Sequence, residues 1–194
     1  MERGFLKKEY IKSFDYIKEC KKYIYFVIGI FLFFSFLGFF IPLPEIIHGK
    51  LIEYFKMLVE KTQDFNSLEM IGFIFSNNIQ ATFLSMLLGS FFGIFSIFNA
   101  LLNGFVLGVA ANMSVFENGG LSLLRILPHG IFELPAVFIS LGMGVKLGTF
   151  VLQKEKLKSF KDFLWKSLRV YIFIILPLLI IAAIVEGFLI ILGN

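Results

Sequence analysis

The 194-residue chain carries little charge, few prolines and a single cysteine. Only 16% of its residues are charged, whereas a typical soluble domain has about 25%. Because Cys20 has no second cysteine to pair with, an intrachain disulfide is excluded. Walker loops, metalloprotease helices, nucleophile elbows and Ser–His–Asp groupings are missing, so we expect no enzyme and no cofactor. No clustered basic face on a soluble element is visible, so we expect no nucleic-acid partner.

Apolar residues make up 58% of the chain, 27 of them are phenylalanine, and the mean hydropathy is +0.85. The excess is gathered in blocks that are long enough to cross a bilayer, for which about 20 apolar residues are needed. No small-residue cleavage site follows the first block, so we expect no cleavable signal peptide. The composition therefore predicts one all-α domain over residues 1–194, a polytopic transmembrane helical bundle of the cell membrane with the lipid bilayer as a partner.

The apolar blocks predict five spans. They lie at 23–41, 78–98, 101–115, 128–150 and 170–192. Asn77 or Asn78 is expected to cap the second span. The uncharged stretch from 70 to 116 is too long for one helix and favours a hairpin with its turn near 99–103. The third span is short, so the sequence leaves open whether it crosses the bilayer fully or is re-entrant.

Three amphipathic segments flank these spans. Segments 1–22 and 153–169 are rich in lysine, whereas segment 45–69 has a net negative charge. We expect 1–22 and 45–69 to lie as helices on the inner and outer membrane faces, respectively. Because basic segments stay on the cytoplasmic side, the charge pattern predicts a cytoplasmic N-terminus and an external C-terminus.

Small residues recur at four-residue spacing within three of the spans. They are Ala81, Ser85, Gly89 and Gly93, then Ala100, Gly104 and Gly108, then Ser140, Gly144 and Gly148. Such spacing lets membrane helices approach closely. We favour packing within one chain, and a homo-oligomer interface is the other interpretation. Asn103 and Asn112 are expected to donate hydrogen bonds between helices.

One stretch, at 127–136, concentrates unusual residues at the start of the fourth span. Its notable members are Pro128, His129, Gly130, Glu133 and Pro135. An ionisable group at membrane depth costs about 2.5–3.5 kcal/mol on insertion scales, and such groups usually mark function. His129 and Glu133 are four residues apart and share a helix face. Pro128 suits a first helical turn, whereas Pro135 leaves the carbonyl of Ile131 without its helical donor.

Three interpretations of this motif compete. A metal site is disfavoured, because His48 is the only other histidine in the chain. A path for protons or ions would use Glu133, with Glu186 of the last span as a second carboxylate. We favour a buried network in which Glu133 pairs with Arg125, His129 or freed backbone groups, because buried polar groups must find partners. Two interpretations are open for Glu186: it pairs with Arg125, or it lies close enough to the outer interface to be hydrated.

The run Leu-Pro-His-Gly-Ile-Phe-Glu-Leu-Pro-Ala at 127–136 resembles the signature of the stage II sporulation protein M family. The upstream and downstream patterns are similar as well, over about 73–148. They comprise Asn77-Asn78, Gly89, Gly93, Asn103-Gly104 and Gly108, and then Gly142, Gly144 and Gly148.

The resemblance implies a multi-pass membrane protein of about five spans. The namesake is understood to act during engulfment as a scaffold for two peptidoglycan-degrading partners. The family also occurs in bacteria and archaea that do not sporulate, so the resemblance implies the fold without the sporulation role. We therefore expect a non-enzymatic scaffold for other membrane or envelope proteins. The alternative is a transporter or channel that uses Glu133 and His129.

Overall fold

The computed structural model describes the backbone of residues 2–121 and 127–192, and the side chains of residues 4–116, 119–121 and 130–188. These residues are helical almost throughout. The helices are α1 (Glu2–Phe40), α2 (Glu45–Thr62), α3 (Ser67–Leu88), α4 (Ile94–Asn118), α5 (Leu127–Gly148), α6 (Lys156–Val170) and α7 (Leu176–Leu192). A 3-10 turn at Thr149–Leu152 precedes α6, and a π-helical turn at Tyr171–Ile175 joins α6 to α7.

Within the described residues, five helical stretches are long and apolar enough to cross a membrane. They correspond to α1, α3, α4, α5 and the continuous helix formed by α6 and α7. The prediction of an all-α transmembrane bundle is confirmed. At about 1.5 Å per residue, the 39 residues of α1 extend over roughly 58 Å, about twice the hydrocarbon thickness of roughly 30 Å.

Helix α5 occupies the centre of the bundle. It packs against α1, α3, α4 and α7. The largest buried cluster of the described side chains joins residues of α1, α3, α5 and the continuous helix of α6 and α7, among them Cys20, Met86, Ala136, Met143 and Leu179, all of which are 0% exposed. The large exposed side chains of the outer helices are mostly phenylalanine, isoleucine and leucine. The fold therefore buries α5 and turns the apolar faces of its neighbours outward, where lipid supplies the contacts.

The start of the second span differs from the sequence prediction. Helix α3 begins at Ser67, and its N-cap is Asn66 rather than Asn77 or Asn78. The Asn66 side chain accepts hydrogen bonds from the N–H groups of Leu68 and Glu69, and the Glu69 carboxylate accepts one from the N–H of Asn66. Because of this capping box, Glu69 belongs to the first turn of α3. The preceding amphipathic helix, α2, ends earlier, at Thr62.

The hairpin turn also lies elsewhere than predicted. It occupies residues 89–93, ten residues before the predicted 99–103. Phe92 and Gly93 adopt positive φ angles of 57° and 77°, a conformation that glycine adopts readily and other residues rarely do. Because the turn is early, α4 has 25 residues. Its length is sufficient for a full crossing, so the shortness of the predicted span no longer argues for a re-entrant helix.

Segment 1–22 forms no separate helix, because α1 continues from it into the first apolar block without interruption. Its contacts with the last helix run in reverse order. Tyr10 packs on Phe173, with ring centroids 5.7 Å apart, whereas the Tyr16 hydroxyl lies 3.4 Å from the Phe163 carbonyl oxygen. The start of α1 and helix α6 are therefore antiparallel where they touch, and they form one lysine-rich end of the bundle.

Candidate functional site

The motif at 127–136 forms the first turns of α5. The helix begins at Leu127 with Pro128 in its first turn, where the missing N–H of proline removes no helical hydrogen bond. Pro135 lies inside the helix, and Ala136 after it is fully buried. Arg125 and the side chains of Pro128 and His129 lie outside the described residues. The predicted pairing of Glu133 with Arg125 or His129 falls there too.

Glu133 is one of three polar residues that project buried atoms from helices that pack against one another. Glu133 belongs to α5, Glu186 to α7 and Asn78 to α3, and each pair of these helices is in contact. One carboxylate oxygen of each glutamate is buried. The Asn78 amide nitrogen is also buried and has no hydrogen-bond partner among the described residues. An unsatisfied buried amide costs about 1–3 kcal/mol, so a donor at this position calls for an explanation.

A hydrogen-bonded seam lies one turn further along α3. The hydroxyl groups of Thr82 and Tyr171 are 2.9 Å apart, and either can donate. Tyr171 also reaches the carbonyl oxygen of Ile79 at 3.1 Å, and Ser140 donates to the carbonyl oxygen of Thr82 at 2.7 Å. The seam joins α3 to α5 and to the π-helical turn. We did not predict Thr82 or Tyr171 as site residues. The feature that marks them in the sequence is a hydroxyl group within an apolar span.

Glycines bring α5 into backbone contact with the hairpin turn. A Cβ atom added at Gly89 would lie 2.5 Å from the Cα of Gly144, and one added at Gly148 would lie 2.6 Å from the carbonyl oxygen of Gly89. Gly144 also lies against the hydroxyl of Ser96, which donates to the carbonyl oxygen of Ser85 at 2.7 Å. Only glycine allows such approaches, so Gly89, Gly144 and Gly148 pack within the chain.

The same holds for the glycines of α4. Gly104 and Gly108 lie against the carbonyl oxygens of Phe31 and Ser35 in α1. The two asparagines of α4 behave differently from each other. Asn112 donates to the carbonyl oxygen of Phe39 in α1 at 2.9 Å, as expected of an interhelical donor. Asn103 instead donates to Asn99 of its own helix, so the expectation of an interhelical bond is wrong for Asn103.

An ion pair fixes the lysine-rich end of the bundle. The Glu9 carboxylate accepts a hydrogen bond from the Lys12 ammonium at 2.8 Å and one from Arg169 Nε at 2.6 Å, which ties α1 to α6. Glu9 precedes the first apolar block, which begins at Tyr23. The hydrogen bond from Lys12, more than the attraction of Arg169, holds the pKa of Glu9 below its ordinary value. The pair is partly exposed, so its contribution to stability is modest.

Comparison with known proteins gives a family and one relative. The model of a family described as stage II sporulation protein M matches residues 26–189. An uncharacterised protein of Methanocaldococcus jannaschii is 39% identical over 127 residues, which cover 60% of this chain and 68% of the relative. No solved structure matches the chain. The family match covers both the α5 motif and the helices that pack around it.

Proposed function

The chain belongs to the stage II sporulation protein M family, and we propose that it is a non-enzymatic membrane scaffold that holds other membrane or envelope proteins. In this proposal the bundle is the rigid part and its ends are the contact surfaces. The lysine-rich end faces the cytoplasm and α2 lies on the external side, in keeping with the positive-inside rule.

The observation that carries the proposal is the exposure of the apolar side chains of α2. None of its 18 residues is buried, although about half of them are apolar. Ile46 is 76% exposed and Val59 65% exposed, and Tyr54 and Met57 are exposed as well. Residues on the side opposite Tyr54 and Met57, such as Ile52, are half-buried. An amphipathic helix that keeps apolar side chains accessible outside a packed bundle supports a surface to which another protein binds.

Site-specific photocrosslinking in native membranes tests the proposal. A photoreactive residue is placed at Tyr54 or Met57, which are three residues apart and share a helix face, and a matched control is placed at the half-buried Ile52 on the opposite side of the helix. We expect the two exposed positions to yield the same discrete protein adduct, and the control to yield none. Adducts with lipid alone, together with purification that retains no protein partner, would mean that α2 lies in the headgroup layer and would contradict the scaffold proposal.

Transport is the second candidate, and the buried amide of Asn78 is the observation that favours it. A donor that is buried between α3 and its neighbours without a partner among the described residues is suited to a transient ligand or water, and Glu133 and Glu186 supply carboxylates on the adjoining helices. This proposal expects flux of a cation or proton into liposomes that contain the protein, and its loss in Glu133→Gln. No flux across a panel of ions and small solutes would count against it.

A second measurement separates the two candidates without knowledge of a substrate. In a Cys20→Ser background, which removes the single and buried native thiol, Glu133 is changed to Cys in a variant whose folding is verified. Rapid labelling of that thiol by a membrane-impermeant reagent would indicate an aqueous cavity and favour transport. Protection of the thiol would favour the scaffold, since a sealed bundle offers no path.

A further inference from the structure

We infer that Lys22 and Lys146, together with the Tyr23 and Phe163 rings, form a binding site for the phosphate of an anionic phospholipid headgroup. The site lies at the lysine-rich end of the bundle, where α1, α5 and α6 meet. This inference does not depend on the scaffold proposal, because it concerns a ligand of the bundle itself.

Lys146 is placed unusually for a lysine of an apolar helix. It lies in the last turn of α5 between Val145 and Leu147, which are buried, and it is half-buried itself. Its ammonium lies 4.1 Å from the centre of the Phe163 ring in α6 and 5.6 Å from the centre of the Tyr23 ring in α1. Aromatic faces attract a cation without neutralising it, so Lys146 is held in position with its full charge.

Lys22 brings a second charge to the same place. Its ammonium lies 4.9 Å from the centre of the Tyr23 ring, so two ammonium groups from different helices approach one aromatic ring. Neither forms an ion pair with a carboxylate of the described side chains, whereas Lys12, Lys18 and Lys166 each pair with an acidic residue of their own helix. An anion bound beside the Tyr23 ring is attracted by both ammonium charges, which therefore favour its binding.

The position along the helices indicates a lipid phosphate as the source of that anion. Tyr23 begins the first apolar block, and Tyr25 and Phe26 on the next turn are 70% and 51% exposed. On the other side of the site, Leu152 after α5 is 81% exposed. The ammonium groups therefore lie where the lysine-rich start of α1 meets its uncharged block, the depth at which we expect headgroups. Basic pockets between transmembrane helices bind anionic headgroups at that depth.

The test measures thermal unfolding of the delipidated protein in a neutral detergent. Three additions are compared: phosphatidylglycerol, phosphatidylcholine and inorganic phosphate. We expect phosphatidylglycerol to raise Tm saturably by about 5 °C, as a ligand of the native state does. We expect no comparable rise with either of the other two additions.

Two double variants locate the effect. Lys22→Gln with Lys146→Gln removes the site, whereas Lys21→Gln with Lys161→Gln removes the same charge from exposed positions on α1 and α6. We expect the first pair to lose the response and the second to keep it. Equal loss in both would mean diffuse attraction to a basic surface and would overturn the inference, as would an equal rise with inorganic phosphate or the absence of any rise.

Two further variants guard against misfolding at the half-buried Lys146. Lys22 is exposed, so Lys22→Gln alone is expected to fold and to weaken the response. Arginine stacks on aromatic rings and binds phosphate with two donors, so Lys146→Arg is expected to retain the response. A full response in Lys22→Gln, or a lost response in a folded Lys146→Arg, would contradict the site.

Discussion

Replacing Gly148 with alanine tests whether the contact between α5 and the hairpin turn holds the bundle together. A Cβ atom on Gly148 would lie 2.6 Å from the carbonyl oxygen of Gly89 and 2.6 Å from the carbonyl carbon of Phe92. Both are backbone atoms of a turn that is itself closed by a hydrogen bond of 2.7 Å from the N–H of Gly93 to Gly89. No side-chain rotation relieves such a clash, so the helix or the turn must shift.

The magnitude follows from two opposing effects. Overpacking that forces backbone shifts costs about 1–3 kcal/mol, whereas alanine in a helix gains about 0.5–1 kcal/mol over glycine. Gly29 of α1 is a matched control, because a Cβ atom there meets nothing within 4 Å. Gly29→Ala should therefore be neutral or slightly stabilising. The helical gain applies to both variants and cancels in the comparison, so we expect Gly148→Ala to be less stable than Gly29→Ala by about 1–3 kcal/mol, a difference in Tm of roughly 2–12 °C.

Thermal unfolding of both variants in the same detergent, followed by the fluorescence of Trp165, provides the measurement. Trp165 is the only tryptophan and lies on the exposed side of α6, so neither substitution touches the reporter. Equal melting temperatures for the two variants would refute the reasoning, because they would mean that α5 and the turn are not in backbone contact in the folded protein.

Three further predictions concern other contacts. Tyr171→Phe should destabilise the bundle by about 0.5–1.5 kcal/mol and should be less harmful when Thr82 is already valine, which a double-mutant cycle of Tm values checks. Asn66→Ala should cost about 1 kcal/mol and speed proteolysis between α2 and α3, whereas unchanged proteolysis would contradict the capping box. The Glu9 pKa is lowered in the folded protein, chiefly by the hydrogen bond from Lys12. Its stabilising effect is therefore present above the ordinary carboxyl pKa and is lost as pH falls through the lowered pKa. Glu9→Gln should flatten that acid-side decrease in Tm, and an unchanged decrease would mean that the contacts of Glu9 with Lys12 and Arg169 contribute nothing to stability.

The sequence predicted the fold class well because the hydrophobic blocks are long and nearly all lysines lie outside them. The ends of the helices were harder to predict, for a physical reason that Asn66 and Gly93 illustrate. Hydropathy varies slowly along the chain, whereas a helix begins or ends at one residue that caps it or adopts a positive φ angle. Asn66 and Asn78 look alike in the sequence, and only the Glu69 carboxylate that completes the box distinguishes them.

The sequence indicated which charged residues to examine in the candidate site, but it did not indicate which hydrogen bonds join the helices there. Glu133 and Glu186 stand out because charge is rare in these spans. Thr82 and Tyr171 do not, since a hydroxyl in an apolar span can satisfy itself on its own helix, as Thr62 does with the carbonyl oxygen of Leu58. That Tyr171 instead reaches across to α3 depends on the π-helical turn, and no short sequence pattern reports such a turn.

The distribution of small and polar residues also limits how the bundle could move. Gly144 and Gly148 hold α5 against backbone atoms that cannot yield, so a sliding motion of α5 would break these contacts at once. The π-helical turn contacts α3 in a different way, because the hydroxyl group of Tyr171 meets α3 through hydrogen bonds, which can exchange partners. The π-helical turn comes just before Pro177, which lacks the N–H for a helical hydrogen bond. Turns of this type absorb bending. A transport cycle, if Glu133→Gln abolishes a measured flux, would therefore have to bend α7 relative to a fixed α5, and a scaffold would need neither helix to move.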